Sequence, residues 1–220
     1  MLAAQAAHRE DDIASGDEKA IVLDKKLTED EKRKLLQKSL HTAASNGDIE
    51  RLRRLLSGKS KEYIDVNAAD EEGTAPLIYA SCFGHHEAVS ALLAAGALAD
   101  RQDRNYWTSL MWAMTNRHKG ITKILLDAGA SPDVKSSTGR TAFDFVPPNS
   151  EMSDYLHENG YQIGDAGIVG GDFYDNGLSQ ERFEQEMEEN EMKRRMMMES
   201  SINLEVDLAS LGMDERPEVS

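Results

Sequence analysis

Asp70-Glu71-Glu72-Gly73-Thr74-Ala75-Pro76-Leu77 opens a pattern that runs through Ala80 to Gly84-His85-His86-Glu87-Ala88-Val89 and closes in Leu92-Leu93-Ala94-Ala95-Gly96-Ala97. The pattern is then written again. Its second copy reads Asp103, Thr108, Leu110, Ala113, His118 and Leu125-Leu126-Asp127-Ala128-Gly129-Ala130. Ala80 recurs as Ala113, Leu92 as Leu125 and Gly96 as Gly129, so one constant period relates all three pairs. A single spacing that fixes alanine, leucine, glycine and histidine together is the signature of a structural repeat.

Each part of the pattern has a physical reason. Asp70 and Gly73 suit a tight turn, where aspartate bonds its own backbone and glycine accepts positive φ. Pro76 belongs in the first turn of a helix, where its missing N–H costs little. Leu77 and the small Ala80 face inward and let neighbouring helices approach. Gly84 ends that helix. Glu87 begins a second, with Ala88, Val89, Leu92 and Leu93 as an apolar stripe, and Gly96 ends it. One such unit cannot bury its own apolar face, so its stability has to come from stacked neighbours.

A turn followed by two short helices with a period of about 33 resembles the ankyrin repeat. The resemblance covers about Leu40 to Gly160 and implies an all-α ankyrin-repeat solenoid of helix-turn-helix repeats with short hairpin turns, carrying a disordered or helical acidic tail. The expected divisions are a flexible arm over 1–27, three repeats and a degenerate C-terminal cap over 28–162, and a tail over 163–220.

Residues 1–27 are charged and aperiodic apart from Ile21-Val22-Leu23. Thr28-Glu29-Asp30-Glu31 is a capping box, which predicts a helix start with Leu35, Leu36 and Leu40 facing inward. Leu40-His41-Thr42-Ala43-Ala44-Ser45-Asn46-Gly47-Asp48 resembles the same repeat joined partway through its first helix, and the extra residues before the next copy fall in the polar run Ser57 to Tyr63. The third unit departs from the pattern. Tyr106 stands for the turn glycine, Ser109 for proline, Met111 for histidine and Arg117 for another glycine, while Gly120 stands where glutamate usually starts the second helix. The fold should survive there as the least regular and least stable repeat. A fourth unit begins at Gly139-Arg140-Thr141-Ala142-Phe143-Asp144-Phe145 and is cut by Pro147-Pro148, leaving a short helix around Glu151 to Glu158.

Beyond Tyr161 the composition changes. Gly164 to Gly177 reads as a hinge; no Gly-Lys-Ser/Thr follows it, so it lacks the mark of a phosphate-cradling loop. Ser179 can cap a Glu-rich helix running to about Glu199. Leu204-x3-Leu208-x2-Leu211-x-Met213 has the spacing of a leucine-rich nuclear export signal, and the alternation Ile202-Leu204-Val206-Leu208 could also add as a strand to a partner.

The chain carries a formal net charge of −15. The segment 164–220 holds 15 acidic and 5 basic side chains, a net of −10. Nucleic-acid binding is not expected, since phosphate contact needs clustered Lys and Arg. Cys82 is the only cysteine, so no intramolecular disulfide forms, and no Asn-x-Ser/Thr site is present. Met1 to Ala7 is too short for a signal sequence and no stretch reaches 18 apolar residues. The reading is a soluble intracellular monomer, cytoplasmic, with access to the nucleus if the export spacing is used.

Candidate chemistry is sparse. His41, His85 and His118 sit where the ankyrin repeat carries histidine for packing and backbone hydrogen bonds. His85-His86-Glu87 beside Cys82 offers one thiol and no complete ligand set, so no metal or cofactor is expected. No base and orienter can be named for Cys82 as a nucleophile, so the chain reads as non-enzymatic. The resemblance places partner contacts on a concave surface made of turn tips and the exposed side of each first helix. By position these are Glu71, Glu72, Thr74, then Arg104, Asn105, Trp107, then Ser137, Thr138, Arg140 at the tips. On the helices they are Ser45, Asn46, Cys82, Phe83, Thr115 and Asn116. Trp107 and Phe83 are expected on the exposed face as aromatic anchors, and Tyr79 and Trp112 in the core.

The implied function is a protein-protein interaction module or adaptor binding another protein through this surface. One alternative is an escort for a basic client protein that uses the acidic tail. Another makes the chain the N-terminal scaffold part of a larger protein of the trafficking type.

Overall fold

Thr28 accepts the backbone N–H of Glu31, and the Glu31 carboxylate accepts the N–H of Thr28, so the capping box forms as the spacing predicts. It opens a long helix whose Leu36 and Leu40 are fully buried. The computed structural model describes residues 18–146 and 150–161, together with 188, 191, 192 and 194–196. The Gly164–Gly177 hinge, the Leu204–Met213 export-like spacing and most of the Ser179-capped helix lie outside the described residues.

The described elements are α1 (Glu18–Leu23), α2 (Glu29–Asn46), α3 (Ile49–Leu55), a 3-10 turn (Gly58–Tyr63), α4 (Pro76–Phe83), α5 (His86–Ala94), α6 (Ser109–Thr115), α7 (Lys119–Asp127), a second 3-10 turn (Ala142–Phe145) and α8 (Glu151–Glu158). Among the described residues there is no strand, only one isolated antiparallel bridge between Gln102 and Thr108. The helices form two layers. Helices α2, α4 and α6 and the second 3-10 turn stack side by side as the inner layer, and α3, α5 and α7 stack behind them. One core runs the length of the stack, from Leu36 and Leu40 through Leu77, Tyr79 and Leu92 to Trp112, Leu125, Phe145 and Leu156.

The repeat spacing becomes repeat geometry in the turns. The N–H groups of Asp70, Asp103 and Ser136 donate to the carbonyls of Thr74, Trp107 and Arg140, respectively. Each turn then closes with the N–H of Gly73, Tyr106 or Gly139 donating back to the carbonyl of Asp70, Asp103 or Ser136. The three histidines lock neighbouring layers: Nε2 of His41, His85 and His118 donates to the carbonyls of Ala68, Ser45 and Cys82 at 3.0, 2.8 and 3.1 Å. The His118 ring lies so close over Gly84 that a Cβ there would meet it at 2.9 Å, and Gly84 also holds φ +87° as the helix cap.

Residues 18–23 are not part of an unstructured arm; they form α1, whose Glu18 is 3% exposed and accepts from Nε of Arg51 at 2.9 Å and of Arg54 at 3.1 Å. A buried carboxylate facing two guanidinium groups anchors the helix in a way that apolar periodicity does not reveal. The polar run from Ser57 to Tyr63, where the extra residues fall, contains the first 3-10 turn, packed against α1 and α2.

Candidate protein-interaction surface

The turn tips project as three fingers. Glu71 and Glu72 are exposed on the first, Arg104 is exposed and Asn105 half-buried on the second, and Ser137 and Thr138 are exposed on the third. The fingers are tied sideways. The Arg104 guanidinium pairs with the Glu72 carboxylate at 3.4 Å and donates to the Glu71 carbonyl, while the N–H of Ser137 donates to the Asn105 carbonyl at 3.2 Å. Gly73 allows the first of these links, because a Cβ there would meet Cγ of Arg104 at 2.6 Å. Side chains one repeat apart are thus held in one row by backbone and side-chain bonds, a pre-organised polar edge.

Behind the fingers the inner helices provide a floor. Asn46 is exposed, Phe83, Thr115 and Asn116 are half-buried, and Asn116 Nδ2 lies 3.8 Å from the Cys82 sulfur. Phe83 sits between Tyr79 and His85, with ring centroids 6.4 and 6.5 Å away.

Four of the positions carried over from the resemblance are buried. Ser45, Thr74, Cys82 and Trp107 are 6%, 2%, 0% and 2% exposed. Trp107 is the chief correction. It folds inward against Trp112 and Phe145, with ring centroids 4.8 and 4.4 Å away. The equivalent position of the preceding finger is buried as well, Thr74 being 2% exposed, so the place faces inward in both repeats and here the indole fills it against the Phe145 ring. Arg140 is half-buried and lies over that same ring at 5.9 Å. Tyr79 and Trp112 are core, as expected, at 1% each.

Tyr106 is the exposed aromatic that the positional transfer missed. It is 58% exposed at the tip of the middle finger, with φ +60° where Gly73 and Gly139 have +77° and +82°. A tyrosine in place of a turn glycine was the signal, since a side chain in the left-handed region costs energy that glycine avoids.

Cys82, His118 and Tyr79 are shifted by burial. Burial pushes the Cys82 thiol up to about 12, so at neutral pH the group is an inert thiol. Burial also lowers the His118 pKa below its ordinary value, favouring the neutral ring that donates to Cys82. Burial and the hydrogen bond to Asp70 raise the Tyr79 hydroxyl, keeping it a donor. Among the described residues no three His, Cys, Asp or Glu side chains converge as metal ligands, and no helix is long and apolar enough to cross a membrane.

Comparison with known proteins supplies the frame for this geometry. A family model described as Ankyrin repeats (3 copies) matches residues 40–137. Ankyrin repeat and SAM domain-containing protein 6 of Mus musculus is 37% identical over 92 residues, which is 40% of this chain and 10% of that protein. E3 ubiquitin-protein ligase Ufd4 of Drosophila melanogaster is 40% identical over 81 residues, 37% of this chain and 3% of that protein. Zygote-specific protein 3 of Chlamydomonas reinhardtii is 33% identical over 107 residues, 49% of this chain and 29% of that protein. The chain therefore spans a minor part of the length of each of these relatives. Ankyrin repeats generally mediate protein-protein interaction, and their arrays are typically non-catalytic. Residues 40–137 of this chain are ankyrin repeats, and the two-layer stack is an ankyrin array.

Proposed function

We infer that the protein is a non-enzymatic adaptor that binds one partner protein through the row of finger tips and the floor behind them. The observation that supports this reading most directly is Tyr106. An exposed aromatic ring is held in a strained conformation beside Arg104, at the centre of a row of tips already cross-linked by hydrogen bonds. Tyrosine and arginine are among the side chains most enriched where binding energy concentrates. Strained backbone positions cluster at ligand clamps and active sites, which supports a contact role for Tyr106. Work as a monomer in the cytoplasm fits this reading.

The experiment is affinity capture with the full chain and with the variant Arg104→Ala/Tyr106→Gly, read by quantitative mass spectrometry. The variant keeps a residue suited to the turn, so a specific partner should be depleted about tenfold or more, as loss of a hot spot implies. Equal recovery by both chains would overturn the tip-centred reading.

The charge distribution favours a second reading. The net −10 of the segment 164–220 suits an escort of a basic client, because such a field speeds association and is screened by salt. Association rate against ionic strength, for the full chain and for a chain ending at residue 163, separates the two. An unchanged salt slope on truncation would remove the escort. The small share of each relative that the chain spans also suits a scaffold working within a longer protein.

A further inference from the structure

At the opposite end of the array from the last repeat, α1 and the turn following α3 enclose a cavity of about 380 Å³. Val22 and Leu23 from α1 form an apolar wall, and Leu23 is 68% exposed at its mouth. Arg54, Ser57, Lys59 and Ser60 form the facing side, with Lys19 at the rim. The one acidic lining residue, Glu18, is already neutralised by Arg51 and Arg54. Lys59 is exposed and makes no ion pair among the described residues. Ser60 is 6% exposed. In a chain of net charge −15 this is a locally cationic place. Its apolar wall and positive rim complement an aliphatic side chain next to a carboxylate.

The sequence contains that chemistry in one stretch which the repeat face leaves unused. Ile202-Asn203-Leu204-Glu205-Val206-Asp207-Leu208 alternates aliphatic residues with polar and acidic ones inside the acidic tail. Reach is sufficient. Residues 162–201 separate Tyr161 from Ile202, and even a wholly helical connection of that length spans about 60 Å. Four stacked helix layers at about 10 Å each occupy less.

We propose that this cavity is the docking site for the chain's own segment Ile202–Leu208, with an aliphatic side chain against Val22 and Leu23 and Glu205 or Asp207 against Lys59 and Lys19. The contact involves none of the finger-tip residues, and its failure would leave the proposed recognition face untouched.

The test couples carboxylates to amines with a zero-length carbodiimide, using the full chain as an equal mixture of ¹⁴N- and ¹⁵N-labelled protein. The expected product is an amide between Lys59 or Lys19 and Glu205 or Asp207 within isotopically pure peptide pairs. In the variant Leu204→Ser/Leu208→Ser, which keeps every charge and leaves the repeats intact, its yield should fall several-fold. Isotopically mixed pairs would assign the cavity to a second copy and overturn the proposal. An unchanged yield in the variant, meaning diffuse charge attraction, would overturn it equally, as would absence of the amide.

Discussion

Nε1 of Trp112 donates to Oδ2 of Asp103 over 3.1 Å. One repeat earlier the hydroxyl of Tyr79 donates to Oδ2 of Asp70, at the same sequence offset, over 2.6 Å. In the next repeat the equivalent residues are Ser136 and Phe145, where the ring has no polar tip and the turn has no carboxylate. Finger and inner helix are thus joined by a matched pair that recurs with the repeat and lapses on both sides together.

Asp103 has more than one duty, since its Oδ1 accepts the N–H of Asn105 at 2.8 Å and of Trp107 at 2.9 Å. Asp103→Ala leaves those donors and the buried indole N–H without an acceptor. With charge-assisted bonds of about 1.5–3 kcal/mol each, partly offset by water at the turn, we expect a loss of about 3 kcal/mol. Urea unfolding of the variant checks this, and a loss below about 1 kcal/mol would show that the carboxylate is incidental.

Tyr106→Gly should stabilise the array while weakening partner capture. The side chain at φ +60° costs about 1–2 kcal/mol, and the greater unfolded-state entropy of glycine offsets part of that, so a net gain of roughly 0.5–1 kcal/mol is expected. Arg117, also at φ +60°, should behave alike in stability. A lowered urea midpoint for both variants would mean that the side chains contribute contacts outweighing the strain.

Trp107→Ala should behave as a core truncation. The ring is 2% exposed and packed on Trp112 and Phe145, which puts the cost at about 3 kcal/mol or more. Thermal unfolding followed by circular dichroism reads the change. A near-wild-type melting temperature would place the ring at the surface after all.

His118 sets a pH dependence whose sign follows from burial. The fold favours the neutral ring, so the folded pKa lies below the ordinary 6.5. As pH falls below that value the unfolded chain takes up the proton first, and stability declines through the folded pKa. Above it this contribution is fully present. His118→Gln should flatten the change in urea midpoint between about pH 7.5 and about pH 5.5. A variant with the same slope as the parent would assign the dependence to other groups.

Some features were legible in the chain because their causes are local or periodic. The capping box at Thr28 and Glu31, the left-handed caps at Gly47 and Gly84, the buried faces of Leu92 and Leu125 and the stacking histidines all follow from residues a turn apart or one period apart. A helix or turn carries such signals within its own length. The irregularity of the third repeat was visible in the same way, as Tyr106 and Arg117 at glycine positions.

Other features depended on contacts that no period encodes, and only the tertiary structure decided them. The resemblance put Trp107 on an exposed finger tip, yet its ring packs inward on Trp112 and on Phe145 of the following repeat, where burying aromatic surface outweighs exposing it. Glu18 lies in a stretch without apolar rhythm, and its helix is held by Ile21 and Val22 packed on the core and by Arg51 and Arg54, one turn apart on α3, which converge on a single carboxylate. Which side chains stand free on the recognition face was decided likewise by neighbouring layers. Cys82 and Ser45 sit at positions that the resemblance puts on the exposed side, and close stacking of the inner helices removes them from solvent.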